Sequence, residues 1–159
     1  MDIRGVYSFI LVYFLYFYIA MKILVISNDK KIMNSAKKLE QNDSISSSTR
    51  TKKMTVHTFG ENVIPLEIVT YAFSVNPGVL IIDNDLVKPN SVAIIKSFRD
   101  MRPDTSVIFI TSDPSVELGR EVSRLGILYY GIKPLLNSEL EDSIISIANS
   151  NKIKITNYQ

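Results

Sequence analysis

The sequence predicts one doubly wound α/β domain built on a parallel five-stranded sheet, and three observations lead to it. Short runs of Val, Ile and Leu recur along the chain, each followed by a stretch with helical spacing of its apolar residues. The runs are apolar at successive positions, as strands covered by helices on both faces must be. Several of them end on an acid, a hydroxyl or a lysine. At 159 residues the chain has room for one ordinary domain.

The elements follow in order. "KILVI" (22–26) reads as a buried strand, and "KKIMNSAKKLE" places Ile32, Ala36 and Leu39 on one helical face with lysines opposite. "QNDSISSSTRTKK" (41–53) is a polar, serine-rich loop, and "MTVHTF" (54–59) alternates like an edge or half-buried strand. Pro65 suits the first turn of a helix over "LEIVTYAFSV", which Asn76-Pro77 stops. "VLII" (79–82) is a second fully apolar strand and ends at Asp83. "SVAIIKSFR" is a helix that buries Ile94, Ile95 and Phe98, and "SVIFIT" (106–111) is the fourth strand. Asp113 is expected to cap the next helix with Pro114 in its first turn, and Gly126 to close it after Leu125. "ILYYGI" (127–132) is the fifth strand. Ser138 and Glu141 have capping-box spacing before a helix that buries Leu140, Ile144 and Ile147.

Composition excludes several classes of function. The chain is 46% hydrophobic and 21% charged, enough for a folded core. With 18 basic and 16 acidic residues the formal charge is +2, which gives no electrostatic case for nucleic acid. There is no cysteine, hence no disulfide framework and no thiolate metal site. The single histidine, His57, has no local partner for a catalytic pair. The loop Ser27-Asn28-Asp29-Lys30-Lys31 after the first strand lacks the glycines that cradle a cofactor phosphate.

The N-terminal "VYSFILVYFLYFYIA" (6–20) is almost wholly apolar and aromatic. It is short for a membrane span, which needs about 20 residues. As a secretory signal it lacks the small residue three positions before a cut after Ala20. The expectation is a hydrophobic extension (1–20) on a soluble, cytoplasmic domain (21–150) that opens at Met21, followed by a short tail (151–159). A tether to the cytoplasmic membrane by residues 6–20 is the rival reading.

In doubly wound sheets functional groups gather beyond the carboxyl ends of the strands. "SND" (27–29), Asp83, Thr111 and Lys133 all fall there. With these residues in this order, Met21 to about Ala148 resembles the receiver domain of bacterial two-component response regulators. "LIID" puts Asp83 where that family has its phosphoacceptor, and "VIFITSD" puts Thr111 at its conserved hydroxyl. "YYGIKPL" matches its Lys-Pro dipeptide with Lys133-Pro134, and its switch aromatic with Tyr130. Pro103-Asp104 before Val107-Ile108 is also receiver-like. The resemblance implies a flavodoxin-like sheet of order 2-1-3-4-5 and a cis Lys133-Pro134 peptide. It further implies phosphoryl transfer to Asp83 with the help of Mg²⁺, and no other enzymatic activity. A histidine kinase or phosphotransfer protein would supply the phosphoryl group. An output partner would bind the face of the fourth helix, fifth strand and fifth helix.

The chain departs from that pattern at the metal site. Two acids ordinarily follow the first strand of a receiver, where Ser27 and Asn28 stand here. Asp29 comes one residue late, where it suits the N-cap of the first helix. The candidate metal ligands are therefore Asp83, Asn28, Asp29 and Asp85. Beyond Asp83 the family's proline and glycine are replaced by Val87 and Ser91, with a proline displaced to Pro89. Two readings stay open: a stand-alone receiver phosphorylated on Asp83, and a pseudo-receiver that docks proteins without phosphorylation. A third reading, a flavodoxin-like domain binding a small ligand, lacks a glycine loop to support it.

Overall fold

Five parallel strands form one sheet in the order β2-β1-β3-β4-β5. They are β1 (Met21–Ile26), β2 (Met54–Phe59), β3 (Val79–Asp83), β4 (Ser106–Thr111) and β5 (Tyr129–Ile132). This computed structural model describes residues 21–42, 54–60 and 64–156. The hydrophobic extension, most of the serine-rich loop and the end of the tail lie outside the described residues. The strand order is the one the resemblance implied. The switch point, where the order reverses, lies between β1 and β3.

Residues on each strand alternate between two apolar layers, as the two-residue period of a strand requires. Ile23, Val25, Val79, Ile81, Ile108 and Ile110 face one layer. It is closed by Ile32, Ala36 and Leu39 of α1 (Lys30–Asn42) and by Leu140, Ile144 and Ile147 of α5 (Asn137–Thr156). Leu24, Ile26, Leu80, Ile82, Val107 and Phe109 face the other. There α2 (Pro65–Val75), α3 (Ser91–Met101) and α4 (Val116–Ser123) lie over the sheet. They contribute Ile68, Ala72, Ile94, Ile95, Phe98 and Val122, and Phe73 packs on Phe98 with ring centroids 5.5 Å apart. Each such buried aliphatic side chain is worth roughly 1.5–3 kcal/mol of transfer free energy. Burial on both sheet faces is thus the main stabilising term.

Helix ends differ from the sequence reading in detail. Asn76 ends α2 in the left-handed conformation, with φ 53° and its N–H donating to Ala72 O. The cap of α4 is Ser115 and not Asp113: Ser115 Oγ accepts from Leu118 N at 3.4 Å. Asp113 Oδ1 instead accepts from Ser115 N, which shapes the turn before the cap. The Ser138–Glu141 capping box does not form. Glu139 reaches back to accept from Leu136 N, and Glu141 pairs with Lys38 of α1 at 3.4 Å. With no Pro or Gly between Asn137 and Thr156 to stop it, α5 runs on into the segment expected as a tail. Likewise α1 takes in Gln41 and Asn42, expected as the start of the loop. Among the described residues no helix is long and apolar enough to cross a membrane.

Arg99, on α3, is a structural residue that the sequence did not disclose. Its guanidinium donates to the carbonyls of Pro103 (2.9 Å), Thr105 (2.6 Å), Leu125 (3.2 Å) and Gly126. It thereby ties the loop entering β4 to the turn that follows α4. Burial pulls its pKa below the ordinary value, and the fixed fork of donors is what a lysine lacks. Arg99→Lys is expected to lower stability by about 1.5–3 kcal/mol, the range for hydrogen bonds to charged groups. Urea unfolding of the two proteins measures it, and identical midpoints would refute this role.

Candidate functional site

Sheet register brings the polar strand ends together. Ile26 pairs with Ile82, so Ser27 and Asp83 follow side by side at the ends of β1 and β3. Asp83 pairs with Ile110, and Thr111 with Ile132, which sets Lys133 just past the next strand end. Lys133 N also donates to Thr111 O at 2.8 Å. Ser27, Asp83 and Thr111 are all at most 1% exposed.

Lys133 is the hub. Its ammonium donates to both oxygens of Asp83, at 2.8 and 2.9 Å, and to Asp85 Oδ2 at 2.9 Å. Asp29 Oδ2 lies 3.8 Å away. The Lys133–Pro134 peptide is cis, as the resemblance implied, and so is Lys88–Pro89 in the loop beyond Asp83. Asp83 Oδ2 also accepts from Ser27 Oγ at 2.7 Å, and Oδ1 from Asp85 N at 3.2 Å. Every oxygen of this buried carboxylate is therefore satisfied from within the chain, as burial demands. Ser27 gives Asp83 a hydrogen-bond donor at a position where a second carboxylate would repel it.

The remaining residues are fixed by their own partners. Asp29 Oδ1 accepts from Lys31 N at 2.8 Å, so Asp29 is the N-cap of α1 that its position suggested. Asp85 lies on the helical turn Asn84–Val87 and accepts from Ser112 Oγ at 2.6 Å and from Ser112 N. Thr111 Oγ1 accepts from Asn84 Nδ2 at 3.1 Å and from Asp113 N at 3.0 Å. Thr111 is thus linked to the cluster through Asn84, the neighbour of Asp83. Tyr130 stands apart from the cluster. Its ring stacks on Phe109 with centroids 5.6 Å apart, and its hydroxyl donates to Asp113 O at 3.4 Å. Asn28 is exposed. His57 is on β2, the edge strand beyond β1.

Three partners were missed from sequence: Ser27 as a donor, Asn84 and Ser112. Only their positions next to strand ends could have signalled them. Gly60 is a fourth. A Cβ there would stand 2.9 Å from Ser27 O, and Ser27 N donates to Phe59 O. A glycine lets the end of β2 press against the β1 turn and hold Ser27 under Asp83.

Mg²⁺ needs near-octahedral oxygen ligands and keeps waters of its own. The residues present do not fit that demand. Ser27 Oγ is committed to Asp83, and the Lys133 ammonium already sits among the carboxylates of Asp29, Asp83 and Asp85. Among the described residues no three His, Cys, Asp or Glu side chains are placed to hold a metal ion together.

No protein-family model matches the chain, and neither does any curated protein. Solved structures do match. A CheY-like response regulator receiver domain protein from Methanospirillum hungatei JF-1 superposes with TM-score 0.67 at 16% identity, over 85% of this chain and 98% of its own. A response regulator from Thermotoga maritima gives TM-score 0.63 at 17% identity, over 82% and 98%. The Vibrio cholerae chemotaxis protein CheY4 gives 0.60 at 17%, over 80% and 98%. The chain has the fold of response-regulator receiver domains.

Electrostatics predict how the cluster responds to pH. Burial opposes the charge of Lys133, but hydrogen bonds to Asp83 and Asp85 and their charges outweigh it and raise its pKa above 10.5. Its contribution to stability is then complete below 10.5 and fades as pH rises through the higher folded value. Burial likewise opposes the charge of Asp85, and hydrogen bonds from Ser112 and Lys133 outweigh it, lowering its pKa below 3.8. Its contribution is present above 3.8 and fades as pH falls through the lower folded value. Asp85→Asn is therefore expected to lower the unfolding temperature at neutral pH, with a deficit that shrinks as pH drops below 3.8. A deficit that stays constant into strong acid would contradict the pairing.

Proposed function

We propose that this chain is a receiver-fold signalling module that works by docking a protein partner, with Asp83 kept as an internal ion-pair partner and not used as a phosphoacceptor. One observation carries the reading. The Asp83 carboxylate is buried and bonded to the Lys133 ammonium through both oxygens, while a serine hydroxyl stands where a metal-binding acid would. Phosphoryl transfer would require an Asp83 oxygen to attack phosphorus as the bond from phosphorus to the leaving group breaks. Negative charge gathers at that centre, and a hard cation is the usual means of offsetting it. Lys133 supplies one positive charge, already shared among three carboxylates.

The docking face would be α4, β5 and α5. Val116, Leu128, Ile132, Leu136 and Ile145 on or beside these elements are between 40% and 66% exposed. Such a set of exposed apolar side chains suits a protein interface.

A second reading has its own support. Asp83, Thr111 and Lys133 stand at the ends of β3, β4 and β5, as in the receiver pattern, so a histidine kinase or phosphotransfer protein could act on Asp83 if Lys133 gave way. Incubation with acetyl phosphate and millimolar Mg²⁺, followed by intact-mass measurement, separates the two. The docking reading expects no mass gain in the wild type, as in Asp83→Asn. A phosphoryl adduct on the wild type that Asp83→Asn abolishes would establish the second reading.

A further inference from the structure

The docking reading gives no use to the 15 residues "VYSFILVYFLYFYIA" (6–20). The core has no room for them. Both faces of the sheet are already closed by helices, and Met21, where the segment joins β1, is only 5% exposed. So much apolar surface is poorly solvated by water and needs cover from outside the two layers of the domain. Composition points to the kind of cover. Seven of the 15 residues are Tyr or Phe, and four of those are Tyr. Tyrosine, apolar in its ring and polar at its tip, favours the boundary between lipid and water over a dry interior.

The edge of the domain from which this segment departs carries a matching charge. All five strands are parallel, so they start at one edge, to which the connecting helices return. Lys22 stands there in β1, Arg102 ends α3 and Arg124 ends α4. Both arginines are exposed, and neither forms an ion pair among the described residues. Lys52 and Lys53 directly precede β2 in the sequence, and Lys152 and Lys154 fall in the last turns of α5. Glu40, Asp100 and Asp104 offset only part of that charge. Met101, beside Arg102, is an apolar side chain 54% exposed at the same edge. The opposite edge, where Asp29, Asp83, Asp85 and Asp113 stand, is rich in acids.

We propose that residues 6–20 and this basic edge together bind the surface of an anionic lipid bilayer. The segment enters the headgroup and outer acyl layer without spanning it, since about 20 residues are needed to cross. The basic edge then lies against anionic headgroups, with Met101 at the contact. Apolar insertion and charge attraction reinforce each other, and attachment that is marginal with one becomes stable with both. The ion cluster, at the far edge of the sheet, faces away from the lipid. This placement goes beyond the docking reading and does not depend on it.

The test floats the full chain with vesicles of phosphatidylcholine, either alone or mixed with phosphatidylglycerol. Binding is expected to the mixed vesicles, to fall as salt is added, and to be much weaker to phosphatidylcholine alone. Arg102→Gln with Arg124→Gln, both at exposed positions, should weaken it roughly 25-fold, about fivefold for each surface cation. Phe14→Asp with Phe17→Asp should abolish it. The chain has no tryptophan, so Tyr16→Trp gives a single fluorescence signal, expected to shift to the blue only when mixed vesicles are added. Absence of flotation with mixed vesicles would overturn the proposal, as would binding indifferent to both salt and the arginine pair. A blue shift already present without lipid would also overturn it, by placing the segment against its own domain or a second copy of the chain.

Discussion

The site depends on one charge. The Lys133 ammonium, reaching in from the end of β5, is ion-paired with Asp83 and Asp85 directly and lies 3.8 Å from Asp29. Asp83 is 1% exposed, and an unpaired carboxylate at that depth would cost several kcal/mol. The acid at the end of β3 therefore requires the lysine, and the lysine has its clearest purpose in the acid. Removing Lys133 strands the buried Asp83 charge, which costs more than the intact pair contributes.

Ser27 settles what kind of cluster this becomes. An acid at the end of β1 would place a second carboxylate against Asp83 and call for a metal ion to hold the two together. A serine hydroxyl satisfies Asp83 by donation, at 2.7 Å, and removes that need. Gly60 allows the backbone approach that keeps Ser27 there. Asp29, the nearest remaining acid, is engaged at the N-terminus of α1, where the helix dipole also favours its negative charge. The result is a self-contained ion cluster at the carboxyl ends of β1, β3 and β5.

The fold was legible because its signal is repetitive. Apolar strands such as "VLII" and "SVIFIT" can only be buried on both faces, and Ile32, Ala36 and Leu39 define one face of α1 unaided. Strand-end logic found Asp83 and Lys133, which the structure brings within hydrogen-bond distance. It grouped Thr111 with them, although Asn84 stands between as the hydrogen-bonded link. The missed details share a physical cause. Ser115 in place of Asp113 as a cap, Glu139 in place of Glu141, and the grip of Arg99 on four carbonyls depend on where loops turn. Spacing alone cannot give that. Ser27 was read as a lost acid, because sequence shows the missing charge but not the donor that replaces it.

Direct titration with Mg²⁺ tests whether the carboxylates are held by the ammonium without a metal ion. The wild type should show neither a rise in unfolding temperature nor amide shifts at residues 27–29 and 83–85 up to about 10 mM Mg²⁺, since only an ion that binds the folded state stabilises it. Placing acids at both positions, as S27D/N28D, should produce both responses. Saturable, Asp83-dependent Mg²⁺ binding by the wild type at these positions would contradict the account.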